Sequence, residues 1–266
     1  VTSWYGERRV DHGLLLAAFP ALAARVSESI GYNLPHGKRR DPLSEPLRLL
    51  SIGAGAIGTY IGGSLAVGGH EVVFVERPDV AAVKLDDTVV PYGVLANAAA
   101  RVAGWLGELG VKPGDRVAVT LPNIPQMPII YYGILWAGGV VVPMNPLYKS
   151  REFAYVLRDA DARVFFAWDG VADEASKGAA DAGADYVSVS ATGFVPELMT
   201  HQPASLVARH DSDTAVVLYT SGTTGSPKGA ELTHHNMNRN AELSARLFGM
   251  RPDDVVFGGL PLFHSF

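Results

Sequence analysis

Residues 219–229 read Tyr-Thr-Ser-Gly-Thr-Thr-Gly-Ser-Pro-Lys-Gly and hold the densest set of chemically useful groups in the chain. Thr220, Ser221, Thr223 and Thr224 supply hydroxyls, Gly222, Gly225 and Gly229 free the backbone, and Lys228 adds a mobile positive charge. A loop of this kind suits a polyphosphate, because backbone N–H groups and hydroxyls can wrap its oxygens while the lysine neutralises charge. It is not a Walker loop: Lys228 does not directly follow a glycine and precedes Gly229 rather than Ser or Thr. An ordinary Gly/Ser surface turn shares the composition but not the whole eleven-residue pattern. Val216, Val217, Leu218 and Tyr219 ahead of the loop predict a buried strand. Thr233 predicts the cap of a helix over 234–248, which Gly249 and Pro252 stop. The loop is therefore expected to join a strand to a helix.

A second glycine pattern lies far upstream. Gly53, Gly55 and Gly58 form G-x-G-x-x-G between a predicted strand at 49–52 and a helix continuing over 59–67. Gly68-Gly69-His70 then turns the chain into a second strand at 71–75, ending at Glu76. The glycines permit close approach to a pyrophosphate, and Glu76 stands where an acid binds a ribose hydroxyl. Arg77 beside it equally suits a 2′-phosphate, so NAD and NADP stay open. The unit resembles the nucleotide-binding segment of ketopantoate-reductase-like dehydrogenases over about thirty residues. After Arg77 no further strands of such a domain follow, and a β-α-β piece this short cannot bury a core alone.

The elements that must position the loop alternate. The order is a hairpin over 82–90 turned at Asp86-Asp87, then a helix with Leu95, Ala98, Val102, Trp105 and Leu109 as its core stripe, ending at Gly110. A charged turn over 111–117 leads to a strand. The uncharged run over 117–148 is cut by Pro122, Pro125, Pro128, Gly138, Gly139 and Pro143, so a short buried helix over 129–137 and a strand over 140–142 explain it better than a membrane span. Ser150 predicts a cap for a helix to 159 with Phe153, Val156 and Leu157 inward. Strands at 163–167 and 186–189 flank a helix at 172–182, and 191–213 reads as a plain connection. Strands alternating with helices imply an α/β fold, with mostly parallel sheets flanked by helices.

The loop resembles the phosphate-binding signature of the adenylate-forming enzymes, and Pro261-Leu262-Phe263-His264-Ser265-Phe266 resembles the next signature of their acyl-CoA synthetase branch. Leu121-Pro122-Asn123 and residues 137–146 are also familiar in that family, with a structural role expected for both. The likeness covers residues 80–266, about two-thirds of the chain. It implies an incomplete amino-terminal domain of an AMP-dependent synthetase, preceded by a partial Rossmann unit at 47–79 and an unassigned segment and linker at 1–46. The implied reaction joins a carboxylic acid, a fatty acid by this branch, to coenzyme A through an acyl adenylate made from ATP with Mg2+. By the same resemblance, Thr220, Ser221, Gly222, Thr223, Thr224, Gly225 and Lys228 hold the β- and γ-phosphates. His264 lies near the acyl pocket and the thiol's approach, with substrate positioning favoured over proton transfer. By itself a histidine between Phe263 and Phe266 is more often packed or on the surface, and His234 and His235 are expected there too.

The chain begins at Val1 and stops within a signature, so both ends look cut. The family's Mg-binding glutamate, ribose-binding aspartate, hinge and carboxy-terminal lysine are expected beyond Phe266, making this chain an inactive fragment. The rival readings are an NAD(P)-dependent ketopantoate-type reductase fragment using Gly53, Gly55, Gly58 and Glu76, and a non-catalytic chimeric product. A join of two genes near Arg77 is preferred over a natural fusion.

Composition narrows the partners. A net charge of −5 over 266 residues, with Lys38-Arg39-Arg40 the only basic run, gives no case for nucleic acid. The absence of cysteine excludes disulfides, thiolate metal sites and cysteine nucleophiles, and fits a cytoplasmic setting. No metal-ligand spacing appears. Peripheral membrane contact stays open, and neither oligomeric state nor acyl chain length is legible.

Overall fold

The computed structural model describes residues 48–52, 71–75, 81–220, 227–251, 254–256, 258 and 260–263. Strands β1 (Arg48–Ile52) and β2 (Glu71–Val75) pair in parallel, with Arg48 opposite Glu71 and Ile52 opposite Val75. Parallel pairing is what the β-α-β reading requires. The glycines and the helix between the strands, and Glu76, lie outside the described residues.

A hairpin follows, β3 (Ala81–Leu85) and β4 (Thr88–Pro91), turned at Asp86 with φ +50°. Aspartate tolerates that left-handed geometry better than most side chains. Pro91 then leads into α1 (Tyr92–Glu108), whose Leu95, Ala99, Val102, Ala103 and Leu106 are buried at helical spacing. Gly110 at φ +74° turns the chain away.

The core of the molecule is one six-stranded sheet. In chain order its parts are β5 (Arg116–Thr120), α2 (Gln126–Trp136), β6 (Val140–Pro143), α3 (Ser150–Asp159), β7 (Ala162–Trp168), α4 (Ala172–Ala182) and β8 (Asp185–Val189). The short α5 (Phe194–Leu198), β9 (Thr214–Thr220), β10 (Lys228–Thr233) and α6 (His234–Leu247) complete it. The spatial order is β10-β9-β6-β5-β7-β8, with every neighbouring pair parallel except β10 against β9.

Alternation along the strands makes two cores. Val117, Val119, Val141, Val164, Phe166 and Val216 face α1 and α2, meeting Val102, Leu106, Ile130 and Ile134. Ala118, Val140, Val142, Phe165, Ala167 and Val217 face the other way, onto Phe153, Val156 and Leu157 of α3 and Ala175 and Ala179 of α4. Each fully buried Leu, Ile or Phe side chain stabilises the fold by about 1.5–3 kcal/mol. The α1–α2 contact is close because Gly133 has no side chain: a Cβ there would stand 2.4 Å from Val102 Cβ.

The run over 117–148 is divided as its prolines and glycines imply, into β5, α2 and β6. Among the described residues no helix is long and apolar enough to cross a membrane. The charged turn before β5 is also as expected: the Lys112 N–H donates to Asp115 Oδ2 at 2.8 Å, and Arg116 pairs with Asp161.

Two local expectations fail. Ser150 is not the cap of α3, because Lys149 takes that position. The Lys149 N–H donates to Glu152 Oε2, and the Ser150 N–H donates to Glu174 Oε2, each at 2.8 Å. Carboxylates accept these end N–H groups more strongly than a hydroxyl would. That hydrogen bond from Ser150 is also the first cause holding the Glu174 carboxyl below its ordinary range. Nor is 191–213 a plain connection. It carries α5, with Phe194 and Leu198 buried, and then a strap across α1 and α2. The Ala204 N–H donates to the Ala100 carbonyl at 2.9 Å, Trp136 Nε1 donates to the Ala204 carbonyl at 3.0 Å, and His201 stacks on Trp105 at 4.4 Å.

Candidate functional site

Strands β5, β6, β7, β8 and β9 all run the same way, so their carboxyl ends share one edge of the sheet. Ligand sites of open α/β sheets form at that edge, where strands give way to loops. Here β5 ends at Thr120, whose buried hydroxyl donates to the Met144 carbonyl at 3.0 Å and ties two strand ends together. The neighbouring β9 ends at Thr220, the first residue of the hydroxyl-rich loop.

The loop does not lead into a helix. It leads into β10, which returns antiparallel beside β9 and places Lys228 opposite Thr220 and Gly229 opposite Tyr219. The helix begins only after β10. Its cap is as expected, with Thr233 Oγ1 accepting from the Asn236 N–H at 3.1 Å and the Thr233 N–H donating to Asn236 Oδ1 at 3.0 Å. The reason β10 is hard to foresee is its position at the edge of the sheet. No residue of Lys228–Thr233 is fully buried, so no apolar alternation marks it.

The hairpin brings Thr220 and Lys228 side by side, both exposed. Of the other residues assigned to phosphate, Ser221, Gly222, Thr223, Thr224 and Gly225 lie outside the described residues. So do His264 and the dinucleotide set Gly53, Gly55, Gly58 and Glu76. Among the described residues no group of three or more His, Asp or Glu is placed to hold a metal.

Both ends of the loop are fastened to one helix. Tyr219 Oη donates to Asp159 Oδ2 at 2.6 Å, and Tyr155 Oη donates to the Pro227 carbonyl at 2.8 Å. Tyr155 and Asp159 are four residues apart on α3 and therefore lie on one face of it. Burial first, and then the hydrogen bond to Asp159, push the Tyr219 phenol well above its ordinary value, so it stays protonated and donates. The Tyr219 ring also crosses Gly229. A Cβ at Gly229 would stand 2.8 Å from Val217 Cγ1 and 3.1 Å from the ring carbon bearing the hydroxyl. Sequence reasoning missed Tyr155 and Asp159 altogether. The only local signal is two polar groups one turn apart, and their partners are 60 and 72 residues away.

Of the two adjacent histidines, His235 is exposed as expected, but His234 is not a surface residue. It is 6% exposed, and its backbone N–H donates to the Asp213 carbonyl at 3.0 Å. Burial, helped by Arg209, lowers its imidazole pKa, while Asp213 and Asp211 oppose the shift. The capped helix start packs its first residue against the 209–213 turn, which the sequence of α6 alone does not reveal.

The segment leading to His264 comes to the same edge. Asn123, three residues beyond the end of β5, donates through Nδ2 to the carbonyls of Gly258 and Leu260 and accepts from the Leu262 N–H. Asn123 after β5 and the backbone of Gly258, Leu260 and Leu262 thus meet at the carboxyl edge of the mostly parallel sheet.

A family model described as AMP-binding enzyme matches residues 71–266. The chain is 32% identical over 225 residues to a long-chain-fatty-acid–CoA ligase of Bacillus subtilis (strain 168), covering 71% of this chain and 40% of the relative. It is 35% identical over 185 residues to a 4-hydroxybenzoate–CoA/benzoate–CoA ligase of Rhodopseudomonas palustris, covering 66% of this chain and 34% of that one. Among solved structures it is similar to MatB from Rhodopseudomonas palustris. The apo form has a TM-score of 0.68 at 27% identity, covering 77% of this chain and 41% of that one. The ATP-bound form has a TM-score of 0.62 at 31% identity, covering 68% and 39%. The chain therefore spans about 40% of the length of the first of these ligases.

Proposed function

This chain belongs to the AMP-binding enzyme family, and from that premise we propose that it supplies the triphosphate grip of an acid–thiol ligase. In the proposed reaction a carboxylate oxygen attacks the α-phosphorus of Mg-ATP. The bond to the bridging oxygen breaks, and pyrophosphate leaves with the electron pair. The thiol sulfur of coenzyme A then attacks the acyl carbon, and AMP departs. Neither step needs a protein nucleophile. The first needs in-line positioning and neutralisation of charge growing on pyrophosphate.

The observation that carries this reading is the β9–β10 hairpin. It sets Lys228 beside Thr220 at the carboxyl edge of the sheet, with the hydroxyl- and glycine-rich residues 221–226 between them. An ammonium held there strengthens its interaction with the β- and γ-phosphates as pyrophosphate separates. Mg2+ would enter with the nucleotide, carried on its phosphates. A reducing cytoplasm suits the reaction, because it supplies both ATP and coenzyme A with a free thiol.

For the acid we propose a fatty acid. The similarity to a long-chain-fatty-acid–CoA ligase supports this, and so does the resemblance of Pro261-Leu262-Phe263-His264-Ser265-Phe266 to the acyl-CoA synthetase signature. The test measures AMP and thioester from Mg-ATP, coenzyme A and either palmitate or benzoate. It uses the chain alone and the chain supplied in trans with the carboxy-terminal portion of a related ligase. No turnover is expected from the chain alone, and with the added portion palmitate-dependent AMP formation well above that with benzoate is expected. Preference for benzoate would transfer the assignment to aryl acids, and AMP formation indifferent to any acid would sink it.

A further inference from the structure

Asn123 spends its whole side chain on a segment more than a hundred residues away. Its amide offers two N–H donors and one strong acceptor. Nδ2 donates to the Gly258 carbonyl at 3.0 Å and to the Leu260 carbonyl at 2.8 Å, and Oδ1 accepts from the Leu262 N–H at 2.8 Å. The three partners are backbone groups at alternate positions, so the amide reads the path of the segment rather than its side chains. This contact is not explained by core packing. Gly258, Leu260 and Leu262 are exposed, and Asn123 itself is half-buried.

The base of the contact is rigid. Asn123 follows β5, which lies between β6 and β7. Its Pro122 carbonyl accepts from the Ile124 N–H at 2.8 Å in a tight turn, and the Met127 N–H then donates to the Ile124 carbonyl as α2 begins. A short exposed segment is thereby referenced to the most buried part of the sheet.

We propose that Asn123 is a positioning residue for the acid-binding side of the site, holding 258–263 at the carboxyl edge of β5. Resting on the ligase reading, this assigns it a role in seating the acid through the signature that runs on from Phe263 to His264. The side chain is specific to the task. Aspartate would keep an acceptor for the Leu262 N–H but present negative oxygen to two carbonyls. Glutamine would carry the same groups one methylene too far.

The test has two arms. In the first, amide hydrogen exchange is followed by mass spectrometry on the full chain, comparing wild type with Asn123→Ala and Asn123→Asp. Exchange over 258–263 is expected to quicken by about tenfold or more in Asn123→Ala, as three modest hydrogen bonds are lost. A comparable rise is expected in Asn123→Asp, where the retained acceptor is offset by repulsion from the two carbonyls, with peptides of β5–β7 and the melting temperature unchanged. Unchanged exchange over 258–263, or an equal rise throughout the chain, would overturn the assignment. In the second arm, the palmitate assay described above should show a raised KM for the acid in Asn123→Ala with the KM for ATP unmoved. Equal rises in both would refute a role on the acid side. If the wild type supplied with the carboxy-terminal portion of a related ligase turns over no acid while the exchange difference stands, the ligase reading falls and Asn123 remains the anchor of Gly258, Leu260 and Leu262.

Discussion

At the scale of single residues, the charge of Lys228 is the most exposed claim. It sits opposite Thr220 on an edge strand, unburied, so its removal should cost chemistry more than stability. In the chain completed by the carboxy-terminal portion of a related ligase, Lys228→Ala is expected to slow acyl-adenylate formation by ~10²-fold, the usual size of losing one charge-stabilising donor. Pyrophosphate exchange reads this step, while thioester formation from preformed acyl adenylate should change little. Equal losses in the two half-reactions would place Lys228 in the fold or in a shared step. His234 makes a different prediction. Its folded pKa is lowered by burial and Arg209, so below the ordinary value of 6.5 the unfolded chain binds a proton that the folded chain resists. Stability should therefore fall as pH drops from 6.5 toward the lowered value, and His234 should add no slope above that window. Melting temperatures across this range should show a shallower acid decline in His234→Gln than in wild type.

At the scale of elements, α3 acts as the anchor of the loop. Tyr155 holds its exit at Pro227 and Asp159 holds its entry at Tyr219. Tyr155→Phe removes one hydrogen bond of about 1 kcal/mol without changing the ring, so a KM for ATP raised by about fivefold is expected, with the KM for the acid unchanged. Asp159→Asn keeps an acceptor for the Tyr219 hydroxyl and should do less. Steady-state kinetics in each substrate separates the two, and an effect of Tyr155→Phe on the acid alone would refute the anchor. The α1–α2 contact is set by a glycine rather than by an apolar stripe. Gly133→Ala puts a Cβ 2.4 Å from Val102 Cβ and 3.0 Å from the Ala99 carbonyl oxygen. Forcing the two helices apart should destabilise the fold by about 1–3 kcal/mol in chemical denaturation, leaving nucleotide affinity in the folded fraction unchanged.

At the scale of the whole molecule, the chain carries two glycine-rich patterns flanked by elements of unequal substance. Thr220 and Lys228, which flank the hydroxyl-rich stretch, belong to a six-stranded sheet with a core on each face. The G-x-G-x-x-G stretch is bracketed by the two-stranded sheet of β1 and β2, and among the described residues no third strand joins that pair. The family match begins at residue 71 and so takes in β2 itself. A hydride site needs a second mononucleotide half to seat the nicotinamide. The purified chain is therefore expected to leave the dihydronicotinamide absorbance of NADPH unchanged when ketopantoate is added. Ketopantoate-dependent oxidation of NADPH would instead support the reductase reading.

What the sequence determined by itself was whatever depends on near neighbours. Short apolar runs bounded by turns marked β5, β7 and β8, the stripe from Leu95 to Leu109 marked α1, and Gly110 and Thr233 marked a helix end and a helix start. The expectation of a polyphosphate at 219–229 rests on composition alone, because wrapping an anion needs hydroxyls, glycines and a cation on one short stretch. Tertiary structure alone decided which partners those elements meet. The strand β10 exists because β9 offers it an edge, not because Lys228–Thr233 is patterned for burial. His234 is buried because the 209–213 turn covers it. Tyr155, Asp159 and Asn123 carry no local mark of their roles, since a hydrogen bond spanning 60 to 139 residues is fixed by how the sheet and its helices pack. Periodicity reports which face of an element is buried, and it is silent on what lies against that face.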